Sequence, residues 1–190
     1  MAVSKDKPRG DYRIFVGAFP TGELAERIQE VRVRYDHKTA HITAPHVTLA
    51  GTYWRRGPAS PDNEAQTILD LETAAAKIRP FELVLGGVHF FPPAARPVIY
   101  LAVTRTEEFL RARQTLLDVV GRDTHRRFTP HLTLAMRLRG HTAQAMLADL
   151  QSSEWETRRW RTPIDVLHLM QRGPGDPAWR SIARLPLGQA

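Results

Sequence analysis

The sequence predicts an α+β protein with two similar lobes, in which two antiparallel-rich sheets line a central cleft and the helices lie outside. Strands and helices alternate along the chain, several strands form hairpin-like pairs, and the order of elements starts again after a Pro-rich break near residue 95. We therefore expect one bilobal, pseudo-symmetric domain over residues 1–190, with a tail at 1–11, a first repeat at about 12–95 and a second at about 96–188.

Short apolar or alternating runs, bounded by turn residues, predict the strands. In the first repeat they lie at residues 14–18, 46–53, 81–85 and 88–91, and in the second at 98–103, 131–138, 155–160, 164–170 and 179–187. Gly86 and Gly87 mark a turn or bulge between two of these segments.

Helical spacing of apolar residues, together with capping residues, predicts four helices. They run from Thr21 to about Arg34, from Ser60 or Asp62 to the residues before Pro80, from Thr104 or Thr106 to about Val120, and over residues 142–150. Both repeats thus have the order strand, helix, histidine-containing strand, helix and closing strands.

The composition excludes several classes of protein. The chain contains no cysteine, so disulfides, thiolate zinc sites and cysteine nucleophiles are excluded. No stretch approaches the roughly 20 apolar residues that span a bilayer. The first residues are charged and do not resemble a secretory signal, so we expect a cytoplasmic protein without membrane contact.

The net charge is +7 and the pI about 10.3, and most of the excess is carried by arginine. Such a balance favours a polyanionic partner such as RNA, DNA or a nucleotide, because arginine contacts phosphate through two hydrogen bonds at once. The alternative is a solvated basic surface in an arginine-rich proteome.

The most informative feature is a repeated hexapeptide. Residues 45–50 have the sequence PHVTLA and residues 130–135 have PHLTLA, at equivalent places in the two repeats. The His-x-Thr triplets that begin at His37 and His41 lack the rest of the pattern, and we interpret them as accidental.

The spacing within each hexapeptide places the histidine and the threonine on one face of a strand, because successive side chains alternate between faces. Two facing copies would place two imidazoles on opposite sides of one phosphate, as in-line displacement with an acid and a base requires. Histidine suits both roles near neutral pH. The candidate catalytic residues are therefore His46, Thr48, His131 and Thr133. The alternative is that they are ordinary half-buried polar residues of two edge strands.

Further residues could bind substrate. Tyr53 and Phe90 could stack on a base, although aromatic residues near strand ends often fill the core. Arg13, Arg127 and Arg137 could contact phosphate, or they are solvated charges. Metal-binding patterns, glycine-rich phosphate loops and a serine nucleophile elbow are absent from the sequence, so we expect no metal and no cofactor.

The paired motifs resemble those of the 2H phosphoesterase superfamily, and most closely the proteins called 2′-5′ RNA ligases or RNA 2′,3′-cyclic phosphodiesterases. The resemblance covers residues 12–187, about the whole of both repeats. It implies a bilobal fold around a central cleft and metal-independent hydrolysis of 2′,3′-cyclic phosphate ends of RNA or nucleotides to a 2′-phosphate. It also implies weak reverse 2′-5′ ligation.

The resemblance assigns His46 as the general acid on the 3′ oxygen and His131 as the general base for water. Thr48 and Thr133 would hold the phosphate. The RNA-processing relatives often carry arginine five residues after the second histidine, where this chain has Met136, followed by Arg137. Either a bulge turns Arg137 inward, or another arginine serves, or the substrate differs.

Other functions remain open from the sequence. The same chemistry could act on a 2′-5′ oligonucleotide, a cyclic ADP-ribose phosphate or another small phosphodiester. A non-catalytic nucleotide- or RNA-binding module would keep the cleft but would not need two imidazoles at matching positions. We expect a monomer, since no additional apolar surface element is evident.

Overall fold

The computed structural model describes residues 12–55, 61–93, 96–121 and 128–188, with the backbone alone for 52–55 and 61–63. The strands in this part of the chain are β1 Tyr12–Ala18, β2 Val47–Arg55, β3 Phe81–Phe91, β4 Val98–Val103, β5 His131–Ala135, β6 Trp160–Ile164, β7 Val166–Arg172 and β8 Arg180–Pro186. The helices are α1 Gly22–Ile42, α2 Pro61–Ala75, α3 Glu107–Val120, α4 Gly140–Gln151 and α5 Glu154–Thr157.

All eight strands form one antiparallel sheet in the order β6-β3-β4-β5-β2-β1-β7-β8. We call β2-β1-β7-β8 the first lobe and β5-β4-β3-β6 the second lobe. They meet where Val47 of β2 pairs with Leu132 of β5. The predicted α+β fold class is confirmed, with the sheets of the two lobes joined edge to edge.

The two lobes exchange strands. β3 belongs to the first repeat but pairs with β4 and β6 in the second lobe, whereas β7 and β8 belong to the second repeat and complete the first lobe. Each repeat therefore supplies strands to both lobes.

Side-chain alternation gives the sheet two different faces. On one face, Ile14, Val16, Leu49 and Leu132 are fully buried in a core shared with the helices. The other face, which we call the His/Thr face, carries the polar residues of both hexapeptides. The apolar half of each hexapeptide thus anchors its strand.

Three local differences from the sequence-based expectation have identifiable causes. α1 continues to Ile42 across a non-helical residue, Asp36, instead of ending near Arg34. β5 ends at Ala135 because the next two backbone N–H groups donate to Asp36. The strand predicted at 155–160 is wrong: Ser153 caps the short helix α5 by accepting from the Trp155 N–H, and β6 begins at Trp160.

No helix in the part of the chain that the structure describes is long and apolar enough to cross a membrane.

Candidate active site

The two hexapeptides lie side by side at the centre of the sheet. Because Val47 and Leu132 are paired in antiparallel strands, the residues on either side of them face each other across the junction. His46 lies towards Thr133, and Thr48 towards His131. All four side chains are partly exposed on the His/Thr face. The junction of the lobes therefore gathers two imidazoles and two hydroxyls.

Each motif histidine is oriented by the same backbone contact. His46 Nδ1 lies 2.9 Å from the Ala44 carbonyl oxygen, and His131 Nδ1 lies 2.8 Å from the Thr129 carbonyl oxygen. A carbonyl only accepts, so Nδ1 carries the proton and donates in both residues. In the neutral imidazole, Nε2 is then the nitrogen that accepts hydrogen bonds.

Aromatic rings enclose His46. Phe15 stacks on its ring at 4.7 Å between centroids and Phe19 at 5.4 Å. The pKa of His46 is lowered from 6.5 to about 4. Burial is the largest cause; repulsion from Arg32 and from the protonated form of His131 acts in the same direction, and the hydrogen bond to Ala44 opposes the shift. His46 is therefore neutral at pH 7 when no ligand is bound.

His131 has a different environment. The rings of Phe91 and Tyr100 meet it edge-on at 4.9 and 5.2 Å, and those two rings stack on each other at 4.3 Å. Burial raises the pKa of Tyr100, which stays protonated. The two motif histidines thus have aromatic neighbours of different geometry.

Each His/Thr strand is held by the first helix of the other repeat. Asp36 of α1 accepts from the Met136 and Arg137 N–H groups, at 3.0 and 2.9 Å, just after the second hexapeptide. Arg113 of α3 donates to the Leu49 carbonyl within the first hexapeptide. The two motif strands are therefore fixed relative to each other by contacts between the repeats.

The Asp36 carboxylate is charged although it is only 4% exposed. Burial raises its pKa, but the hydrogen bonds from the Met136 and Arg137 backbone and from Thr39 outweigh this, and the net pKa lies below the ordinary value. Backbone amides thus stabilise the charge.

The predicted binding residues Arg13 and Phe90 lie away from the motif histidines. Arg13 has its guanidinium 5.5 Å over Trp179, and Trp179 in turn meets Phe15, the ring that stacks on His46. Phe90 pairs with Ile99, a core-face position, and is 43% exposed on the side of β3 opposite Phe91. Phe91 is the neighbour that contacts His131.

The other predicted binding residues are less closely defined. Arg137 is exposed in a bend beyond the end of β5, so strand alternation no longer determines its direction, and its N–H is held by Asp36. Tyr53 pairs with Ile14 through the backbone, but its side chain is not described. Arg127 lies outside the described residues.

The sequence analysis did not place any of the four rings that contact the histidines beside them: Phe15, Phe19, Phe91 and Tyr100. A signal was available for the first two, because alternation from Gly17 places both on the face that carries His46. For Phe91 and Tyr100, the pairing of β3 with β4 had to be known, and the distance in sequence to His131 does not reveal it.

Within the described ranges, no group of three or more His, Asp or Glu side chains is placed to hold a metal ion. The candidate site is thus built from imidazoles, hydroxyls and aromatic rings.

The fold and the two symmetric His/Thr strands define a protein of the 2H phosphoesterase class. The sequence profile of the 2′-5′ RNA ligase superfamily matches residues 20–176, and the chain belongs to this family. A Bacillus cytotoxicus protein named as a phosphoesterase is 29% identical over 154 residues, which cover 80% of this chain and 84% of that one.

Two solved structures support the fold. The Thermus thermophilus protein TT0787 has a TM-score of 0.63 and 21% identity, covering 92% of this chain and 97% of that one. E. coli LigT in complex with 3′-AMP has a TM-score of 0.55 and 18% identity, covering 94% of this chain and 99% of that one.

Proposed function

We propose that this phosphoesterase hydrolyses 2′,3′-cyclic phosphate ends of RNA or of nucleotides to a 2′-phosphate without a metal, with His46 and His131 as the acid–base pair. Thr48 and Thr133 donate hydrogen bonds to the non-bridging phosphate oxygens. Weak 2′-5′ ligation is the reverse reaction, in which a 5′-hydroxyl takes the place of water.

One observation carries the proposal. The Val47–Leu132 pairing gathers two His/Thr pairs, and in each pair Nδ1 donates to a backbone carbonyl, which makes Nε2 the accepting nitrogen of the neutral imidazole. In-line displacement at phosphorus needs a group that accepts a proton from water and a group that donates one to the leaving oxygen. Two imidazoles on opposite sides of one phosphate meet this need, and the two hydroxyls stabilise the charge that develops on it.

The pKa of His46 constrains how it can act. The family resemblance makes it the acid, yet its pKa of about 4 keeps it neutral in the free protein. A phosphate anion beside the ring favours the protonated form and raises this pKa. The negative charge of the bound substrate therefore keeps His46 protonated, so that it can donate its proton to the 3′ oxygen. Neutral His131 takes the proton from water.

The relatives support a nucleotide substrate. LigT was crystallised with 3′-AMP, a nucleotide with its phosphate on the ribose ring. The net charge of +7 favours a polyanion such as RNA.

The test is to incubate the purified protein, in the presence of EDTA, with nucleoside 2′,3′-cyclic phosphates and with an RNA that ends in a 2′,3′-cyclic phosphate. Phosphorus NMR identifies the product. The variants His46→Ala and His131→Ala are compared with His168→Ala, which removes an imidazole from the same face of the sheet, on β7, the strand next to β1.

We expect a 2′-phosphate from the intact protein and from His168→Ala, and a loss of about 10²-fold or more in each motif variant, as is usual when a general acid or base is removed. Turnover that survives in both motif variants would contradict the two-histidine mechanism. Ligand binding without turnover by the intact protein would identify a binding module. Turnover of 2′-5′ oligonucleotides or cyclic ADP-ribose phosphate alone would change the substrate and keep the chemistry.

A further inference from the structure

A cavity of about 270 Å³ opens beside His131 in the second lobe. Its lining combines aromatic rings and aliphatic groups with four side chains that carry polar atoms. The residues that matter are His89, Tyr100, Ala102, Arg105, Phe128 and Thr129. It lies next to the motif histidine, because two of its lining residues contact His131: Ala102 pairs with it in the sheet, and the Thr129 carbonyl accepts from its Nδ1.

The corresponding place in the first lobe is filled. The register aligns the lobes: Thr48 pairs with Gly17 in β1, and Thr133 pairs with Tyr100 in β4. Two residues after Gly17 the first lobe has Phe19, and two residues after Tyr100 the second lobe has Ala102; both lie on the side of the motif histidine. These two residues therefore occupy equivalent positions beside the two motif histidines.

The third strand of each lobe extends the correspondence. His168 pairs with Gly17 in the first lobe, and His89 pairs with Tyr100 in the second. In the first lobe the Phe19 ring occupies the space between the two histidines, stacking on His46 and meeting His168 edge-on at 5.0 Å. In the second lobe Ala102 contributes only a methyl group, and the cavity lies there.

We propose that the second-lobe cavity binds the nucleobase of the nucleotide whose phosphate lies between the two motif histidines. This rests on the proposed function and adds to it the means of recognising the base. The asymmetry fixes the direction of the substrate, with its base beside His131 and away from His46.

The size and lining favour a base over a second phosphate. At about 30 Å³ per water molecule, the cavity has room for roughly nine waters, far more than a lone phosphate group fills. The Tyr100 ring and the side chain of Phe128, whose ring also packs against Phe109 and Arg113, provide apolar surface beside a flat ring system. Arg105, His89 and Thr129 can hydrogen-bond to the polar edge of a base.

The position also fits the geometry of the substrate. In a 2′,3′-cyclic nucleotide the shortest path from the base to the phosphorus runs through three atoms, C1′, C2′ and O2′. The base and the phosphate must therefore bind in adjacent sites. A cavity lined by Ala102 and Thr129, which both contact His131, meets this requirement.

The experiment places in the second lobe the ring that the first lobe already has. Ala102→Phe is assayed with cytidine 2′,3′-cyclic phosphate and with a base-free methyl riboside 2′,3′-cyclic phosphate, and the ratio of the two kcat/KM values is compared with that of the intact protein. The matched control is Ser181→Phe, which adds the same ring to β8 at the exposed edge of the first lobe.

We expect the intact protein and Ser181→Phe to prefer the cytidine substrate, and Ala102→Phe to lose about 5- to 150-fold of this preference, the contribution of one stacked base. An equal preference in Ala102→Phe and the intact protein overturns the proposal. Failure of the intact protein to hydrolyse either substrate refutes the proposed function, and the two failures are therefore distinguishable.

A second measurement does not depend on the folding of a variant. In the intact protein bound to 2′-AMP, we expect nuclear Overhauser effects from the adenine H2 and H8 protons to the rings of Tyr100 and Phe128. Effects to Phe15 or Trp179 instead would place the base in the first lobe and overturn the proposal.

Discussion

His46 shows how a single residue can be given a different role from its sequence twin. Both motif histidines donate through Nδ1 to a carbonyl two residues earlier. Only His46 stacks on two phenylalanine rings, those of Phe15 and Phe19, and its pKa falls to about 4. The hexapeptide repeat predicts both imidazoles, but it cannot predict this difference, because the enclosing rings come from β1 and the turn after it.

Replacing Phe19 with alanine should raise the pKa of His46 toward the ordinary value of about 6.5, because water regains access to the ring and burial is the largest cause of the shift. The His46 Cε1 proton, followed by NMR across a pH titration, measures this. The control is Phe90→Ala, an exposed ring on the opposite face of the sheet.

The same titration tests the action of the substrate. With 2′-AMP bound to the intact protein, the pKa of His46 should rise, since the phosphate favours the charged imidazole. A pKa that stays at about 4 in both Phe19→Ala and the 2′-AMP complex would contradict the stated causes of the shift.

At the scale of elements, the site depends on contacts that cross between the repeats. α1 holds the end of β5 through Asp36, and α3 holds β2 through Arg113. The sequence predicted these helices and strands from periodicity. It did not predict the contacts between the repeats, because a carboxylate in a helix is ordinarily a solvated group. Nothing in the local sequence indicates that Asp36 accepts from backbone N–H groups 100 residues further along the chain.

Asp36→Asn should lower the free energy of unfolding by about 1–3 kcal/mol, because the amide keeps only one accepting oxygen. Its NH2 group must then face either the Met136 and Arg137 N–H groups or the Thr39 N–H, and those donors lose their acceptor. Urea unfolding at neutral pH measures the difference. Glu30→Gln is the matched control, since it makes the same carboxylate-to-amide change at an exposed residue of α1.

The stabilisation by Asp36 should depend on pH in a definite direction. The folded-state pKa of Asp36 is lowered, so its contribution is fully present above the unfolded pKa of about 3.9 and is lost as the pH falls through the folded value. The difference between the intact protein and Asp36→Asn should therefore shrink below about pH 4. A difference that stays constant down to acid pH would show that the carboxylate charge is not what stabilises the bend.

Elements with strong patterns were predicted well and elements decided by tertiary contacts were not. Alternation located β1, β2 and β4 to within a few residues. The strand predicted at 155–160 is wrong because Ser153 caps a helical turn there. The apolar residues that suggested a strand include Trp155 and Trp160, which are instead buried against each other, with ring centroids 5.0 Å apart.

At the scale of the whole molecule, the net charge predicts that binding of RNA depends more steeply on salt than binding of a mononucleotide. With a net charge of +7, RNA that extends beyond the cleft should contact several arginines, and each phosphate contact makes binding salt-dependent. If about three phosphates are neutralised, log affinity should fall with log salt at a slope of roughly −2, and less steeply for a cyclic mononucleotide. Equal slopes in KM measurements would place RNA recognition entirely inside the cleft.

The exchange of strands between the repeats has a consequence for folding. A fragment of residues 1–94 lacks β7 and β8, so β1 would expose an unpaired edge and its apolar core face. A fragment of residues 95–190 lacks β3, which lies between β4 and β6 in the second lobe. Neither fragment therefore contains a complete lobe, although each contains a complete His/Thr hexapeptide.

We expect each fragment alone to lack a cooperative unfolding transition, and an equimolar mixture to recover one, together with phosphodiesterase activity, because the missing strands are supplied in trans. Circular dichroism on heating and turnover of a cyclic nucleotide measure the two properties. The mixture with His131→Ala in the second fragment should recover the transition but not the activity. Independent cooperative unfolding of either fragment would mean that its repeat can bury its own core, and that the exchanged strands shape the site without being required for the fold.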